Sequence, residues 1–125
     1  MRSLLIPLAM LVPAAAAAEE MSAGQKASIL HCGRCHVVPG GNPFGSIGST
    51  PSFRVMRGYE NWRDRFALFY EEPPHRAITQ IEGLTEPLDP ARPSPVAPVT
   101  MSEAALEAIL DYVETVEPKS VGRVE

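Results

Sequence analysis

The stretch HCGRCH, residues 31–36, holds both cysteines of the chain and two of its three histidines. A pair of thiols so close together can close a disulfide, join a metal site or carry a covalent cofactor. Each use demands a different neighbourhood, and the character of the whole chain depends on which one is met.

Two of those uses find little support nearby. A thioredoxin-type redox pair belongs where a strand meets a helix in a βαβ unit, whereas here a helical pattern precedes the motif and glycine-rich turns come after it. A disulfide across so short a loop would remove little chain entropy. A structural zinc ion needs four ligands, usually from two separated pairs; there is no second cysteine pair, and His75 is the one distant histidine. The third use employs every residue in place. Cys32, Cys35 and His36 spell C-x-x-C-H, the attachment sequence of c-type haem. Two thiols at this spacing bond the two vinyl groups on one porphyrin edge, and the adjacent histidine reaches the iron as its proximal ligand. Gly33 and Arg34 are left unconstrained by the motif.

The start of the chain, MRSLLIPLAMLVPAAAAAEE (1–20), has one positive charge, a short apolar run and an alanine tract. That order predicts a secretory signal over residues 1–18, cleaved before Glu19, and export to the periplasm. A membrane anchor is the weaker reading, because the run falls short of the roughly 20 apolar residues that span a bilayer. Residues 19–125 fit a single small domain. So short a chain draws limited stability from its own apolar core, and a buried prosthetic group that binds the folded state would stabilise it further. The net charge of −4 argues against nucleic acid as a partner.

Residues 22–31 read as a helix capped by Ser22. The repeated turn signals of 37–58 read as an ordered loop. A second helix is predicted over 60–72, with Trp62, Phe66 and Phe69 on one face and Pro73-Pro74 as its stop. The proline-rich segment 86–99 is expected to be extended, a strap over the core without a ladder of its own. In the last helix Thr100 and Glu103 suggest a capping box, Leu106, Ile109, Leu110, Val113 and Val116 form an apolar stripe, and Pro118 ends it. No strand is predicted, so the fold class reads as all-α, three to four helices with long proline- and glycine-rich loops.

AGQKASILHCGRCHVV and MSEAALEAILDYVETV, with STPSF between them, together resemble a small class I c-type cytochrome. The resemblance implies an N-terminal helix running into the haem motif and a C-terminal helix crossing it, with contact at Gly24 and packing by Leu106, Ile109 and Tyr112. It also implies that the Pro51 carbonyl meets the free nitrogen of His36, and that Trp62, Phe66, Phe69 and Tyr70 wall the haem. The family's second iron ligand is usually a methionine in the loop before the last helix. Here the proline strap has none. His75 is the first candidate in its place and Met101, at the start of the last helix, the second, with an open iron site third. Met56 is expected to pack in the core and His31 to point away from the iron.

The function these readings predict is single-electron transfer by one haem c, serving redox partner proteins of a periplasmic electron-transport chain. The chain is then a carrier and not an enzyme. Two alternatives remain: an open or weakly ligated iron used in small-ligand sensing or peroxide reduction, and an electron-transfer subunit of a larger oxidoreductase. Arg34, Arg54, Arg57, Arg63 and Arg65 would steer an acidic partner if they surround the exposed haem edge.

Overall fold

Ser22 starts the first helix. Its Oγ accepts from the Gln25 amide at 3.1 Å, and α1 then runs Ala23–Cys32. The computed structural model describes residues 20–120, so the predicted signal over 1–18 lies outside the described residues. Within them are four α-helices, two 3₁₀ turns and one pair of short strands. The other helices are α2 (Phe53–Arg57), α3 (Trp62–Ala67) and α4 (Glu103–Thr115). No helix among the described residues is long and apolar enough to cross a membrane.

The packing of α1 on α4 organises the core. Gly24 is buried where they touch: a Cβ added there would overlap the carbonyl oxygen of Ala108 and come within 2.7 Å of Tyr112 Cβ. On α4 the expected stripe faces inward, with Leu106, Ile109 and Val113 at 5%, 3% and 0% exposure. Tyr112 also donates its hydroxyl to the Pro39 carbonyl at 3.1 Å, which pins the chain just beyond the cysteine motif to the last helix.

Four local predictions are corrected. The segment 37–58 is not all loop, because Ser52 caps α2 and the chain from Phe53 to Arg57 contains no proline or glycine to break it. The helix expected over 60–72 is divided into α3 and a 3₁₀ turn, Phe69–Glu71. Pro73 and Pro74 have no amide hydrogen to offer the carbonyls four residues back, and the chain tightens to shorter bonds, Glu71 N to Leu68 O and Glu72 N to Phe69 O. Ser102, not Thr100, caps α4, its Oγ accepting from the Ala105 amide. Thr100 is unavailable because its backbone belongs to a strand. That strand, β2 (Val99–Met101), pairs in parallel with β1 (Thr79–Ile81), so the end of the proline strap does have a ladder. Three residues are too few for an alternating pattern to register in a sequence.

Replacing Gly24 by alanine should lower stability by roughly 1–3 kcal/mol, the usual cost of forcing atoms into a filled contact. Urea unfolding checks this: the midpoint should fall with the slope unchanged.

Candidate functional site

Beyond Cys32 the helix ends and the chain turns on itself. The amides of Cys35 and His36 both donate to the Cys32 carbonyl, at 3.1 and 2.9 Å, which holds the second thiol and the histidine close to the first. Thr50 Oγ1 and the Ile47 amide in turn donate to the Cys35 carbonyl. Both cysteines are free and partly buried. Burial pushes the Cys32 thiol up to about 12, with the neighbouring Cys35 adding to it.

His36 is fixed by its ring. Nδ1 lies 2.7 Å from the Pro51 carbonyl, the contact that the resemblance implied. A carbonyl can only accept, so Nδ1 carries a hydrogen, and in a neutral ring that makes Nε2 the nitrogen with the lone pair. Phe53, 1% exposed, packs against this ring at 6.3 Å between centroids and meets Phe66 edge-on at 5.0 Å.

These groups border a cavity of about 780 Å³ that also meets His75 and Met101. His75 lies in a 3₁₀ turn, His75–Ala77, between the prolines and β1. Its ring is nearly parallel to that of His36, at 16°, with the centroids 6.0 Å apart. Rings in face-to-face contact would sit closer, near the ~3.5–4 Å of touching carbons. A metal–imidazole nitrogen bond is about 2.0–2.1 Å and the nitrogen lies roughly 1.2 Å from its ring centre, so two imidazoles on opposite sides of one metal have centroids about 6.4 Å apart. The observed spacing is within a few tenths of an ångström of that. Phe69 meets the His75 ring edge-on at 5.2 Å. Burial lowers the pKa of His75, and the neighbouring His36 lowers it further, which favours the neutral ring.

Met101 is 8% exposed and belongs to the core cluster as well as bordering the cavity; Met56 does both less completely. Of the expected aromatic wall, Phe66 and Phe69 line the cavity. Trp62 and Tyr70 do not: Arg57 covers the Trp62 ring at 4.2 Å, and Tyr70 borders a different cavity. His31, expected to point away, does contribute to the lining, because α1 stops one residue later and leaves its last turn beside the space. Burial lowers its pKa. The five arginines are not gathered around the cavity. Arg34 and Arg65 border it along with Asp64 and Glu72, while Arg63 pairs with Glu114 at 3.3 Å.

Two features have no counterpart in the sequence pattern. Arg34 donates to the Ala97 carbonyl at 2.8 Å, joining the motif to the proline strap. Thr79 is 2% exposed and its hydroxyl has no hydrogen-bond partner among the described residues, although it borders the cavity. A lone threonine in an aperiodic stretch carries no signal that could have marked it.

The cavity falls within the roughly 300–1,000 Å³ typical of small-molecule and cofactor sites. Among the described residues no group of three or more His, Cys, Asp or Glu side chains is placed to hold a metal ion by itself. Two thiols and two near-parallel imidazoles border this one largely apolar space, a donor set that fits a planar metallocofactor. Comparison with protein-family models, with curated proteins and with solved structures finds no match.

With both thiols free, Cys32 should remain protonated at pH 8 and react with iodoacetamide far more slowly than an exposed cysteine. Mass spectrometry of the alkylated peptides checks this, and the protection should vanish in denaturant.

Proposed function

We propose that this chain is an exported single-electron carrier holding one haem c, with thioether bonds at Cys32 and Cys35 and iron ligands at His36 and His75. The observation that carries the reading is the His36–His75 pair: near-parallel rings, 6.0 Å apart, in the cavity that both cysteines border. When bound, the haem supplies an iron that takes up and releases one electron.

The protein's own residues have definable parts in this. Cys32 and Cys35 anchor the porphyrin at one edge. Pro51 orients His36 so that Nε2 is the nitrogen left to coordinate, and such partners of a ligand tune the metal as well as aim it. Phe53, Phe66, Leu106 and Ile109 line the cavity with apolar surface and keep water from the ring. A pair of histidines sets a lower reduction potential than a histidine–methionine pair, because thioether ligation raises it. The partners on this reading are redox proteins of the periplasm.

Covalent attachment is tested by producing the chain alongside haem-attachment machinery and staining a denaturing gel for haem peroxidase activity. A stained band and a protein mass increased by one haem are expected, and both should be lost in Cys32→Ala with Cys35→Ala. A chain with neither band nor added mass would falsify the proposal. The oxidised protein should be six-coordinate and lack the long-wavelength band of iron–methionine bonding. His75→Ala should leave a five-coordinate iron whose reduced form binds carbon monoxide at a rate proportional to its concentration. If that variant keeps the parent spectrum while Met101→Ala changes it, the second ligand is Met101.

A further inference from the structure

The segment that carries His75 is a thin wall with space on both sides. On one side is the cavity of the two cysteines. On the other lies a second, open cavity of about 850 Å³, bordered by Tyr70, Leu84 and Leu88 together with the charged Glu71, Arg76 and Asp89, and residues Glu72, Pro73, Pro74 and Thr79 border both. Little fastens this wall to the rest of the fold. Its backbone hydrogen bonds are local: Glu72 N to Phe69 O, Arg76 N to Glu72 O, Ala77 N to Pro74 O and Ile78 N to His75 O. Among the described residues, no side chain from 72 to 77 makes a hydrogen bond or an ion pair. The first long-range tie comes at Ile78, whose carbonyl accepts from the Val99 amide at 2.7 Å as the chain enters β1.

His36 is held quite differently. Its ring is hydrogen-bonded to Pro51, and its backbone is bonded into the turn just beyond α1. One ligand of the pair is therefore fixed, and the other rides on a turn held by local bonds with open volume behind it. Segments with few long-range contacts open at a fraction of the global unfolding free energy. Two consecutive prolines stiffen the turn, so it moves as a unit.

We infer that His75 is a displaceable ligand and that its position is a binding site for a neutral diatomic molecule of the carbon monoxide and nitric oxide class. With haem bound, the 72–77 turn would shift towards the second cavity, His75 would give up its bond to the iron, and the diatomic would bond in its place. One dative bond replaces another, with no electron transferred and no proton released. The inference rests on the haem reading above. It adds that the carrier also responds to a small molecule, through the weaker-held of its two histidines.

The test uses the reduced haem-loaded protein and carbon monoxide as the probe. The observed binding rate should rise with carbon monoxide and then level off, the plateau being the rate at which His75 leaves. Leu88→Trp adds bulk to the lining of the second cavity at a residue outside the turn; it should lower that plateau about tenfold by opposing the opening and leave the resting six-coordinate spectrum unchanged. Amide hydrogen exchange at Arg76, Ala77 and Ile78 should be faster than at Ile81 and should slow in the same variant. Should Leu88→Trp fail to fold, Leu88→Phe is read the same way. A six-coordinate protein that binds no carbon monoxide over hours overturns the inference and leaves the haem reading intact, as does a plateau unmoved in a variant of unchanged melting temperature. A resting iron that is already five-coordinate overturns His75 ligation itself, and the inference with it.

Discussion

Where α1 crosses α4, the oxygen of Ala108 occupies the space in which a side chain at residue 24 would lie. The site depends on that absence. With glycine there, α1 lies close against α4, and the C-terminal end of α1 delivers Cys32 to the edge of a space whose opposite lining includes Leu106 and Ile109 of α4. The turn after Cys32 is then set by two amides bonding one carbonyl, and the Pro39 carbonyl, bonded by both Tyr112 and Gln25, ties the continuation back to both helices. The polypeptide alone thus clamps the chain just beyond the cysteine motif onto both helices.

That clamp explains which parts of the molecule were legible in the sequence. Helices α1 and α4 were, because each announces itself locally: Ser22 as the N-cap of the first, and the spacing of Leu106, Ile109 and Val113 in the second. The His36–Pro51 contact was legible only through the resemblance of a short segment, since nothing in the composition of STPSF points at a histidine fifteen residues away. The strands were not legible, because β1 and β2 owe their pairing to the path of the strap, and three residues hold no period. Thr100 shows the same limit. Its sequence context suits a cap, but the sheet claims its backbone and the cap passes to Ser102. Among the aromatic residues, helical spacing put Trp62 and Phe66 on one face correctly, yet the prolines at 73 and 74 tightened the chain so that Phe69 turned to His75 instead.

A protein of this size whose core residues border a cavity of about 780 Å³ has a physical problem. Atoms lining an empty apolar space lose their packing partners, and a small domain has few others to compensate. Filling the space with a flat, rigid, mostly apolar group would turn a weakness in the core into its largest contact surface. The buried Thr79 hydroxyl fits the same view. A polar atom at 2% exposure without a partner costs stability unless something supplies one, and Thr79 borders the cavity that such a group would occupy. The few aromatic residues of the chain are consistent with a core meant to be completed from outside the polypeptide.

The second ligand raises a separate question of design. Met101 is held by β-pairing and by burial in the core cluster, so a bond from its sulfur would be rigid and difficult to exchange. His75 stands on a three-residue turn between two cavities, with Phe69 and His36 as its ring neighbours. Electron transfer alone would favour the rigid choice, because an iron whose ligands stay in place through the redox change reorganises least. On the haem reading, a loosely held imidazole at the cavity that a buried thioether also borders would favour exchange at the cost of some rigidity. On that reading the asymmetry, one histidine tied to Pro51 and the other on a turn held by local bonds, would separate this site from that of a purely passive carrier.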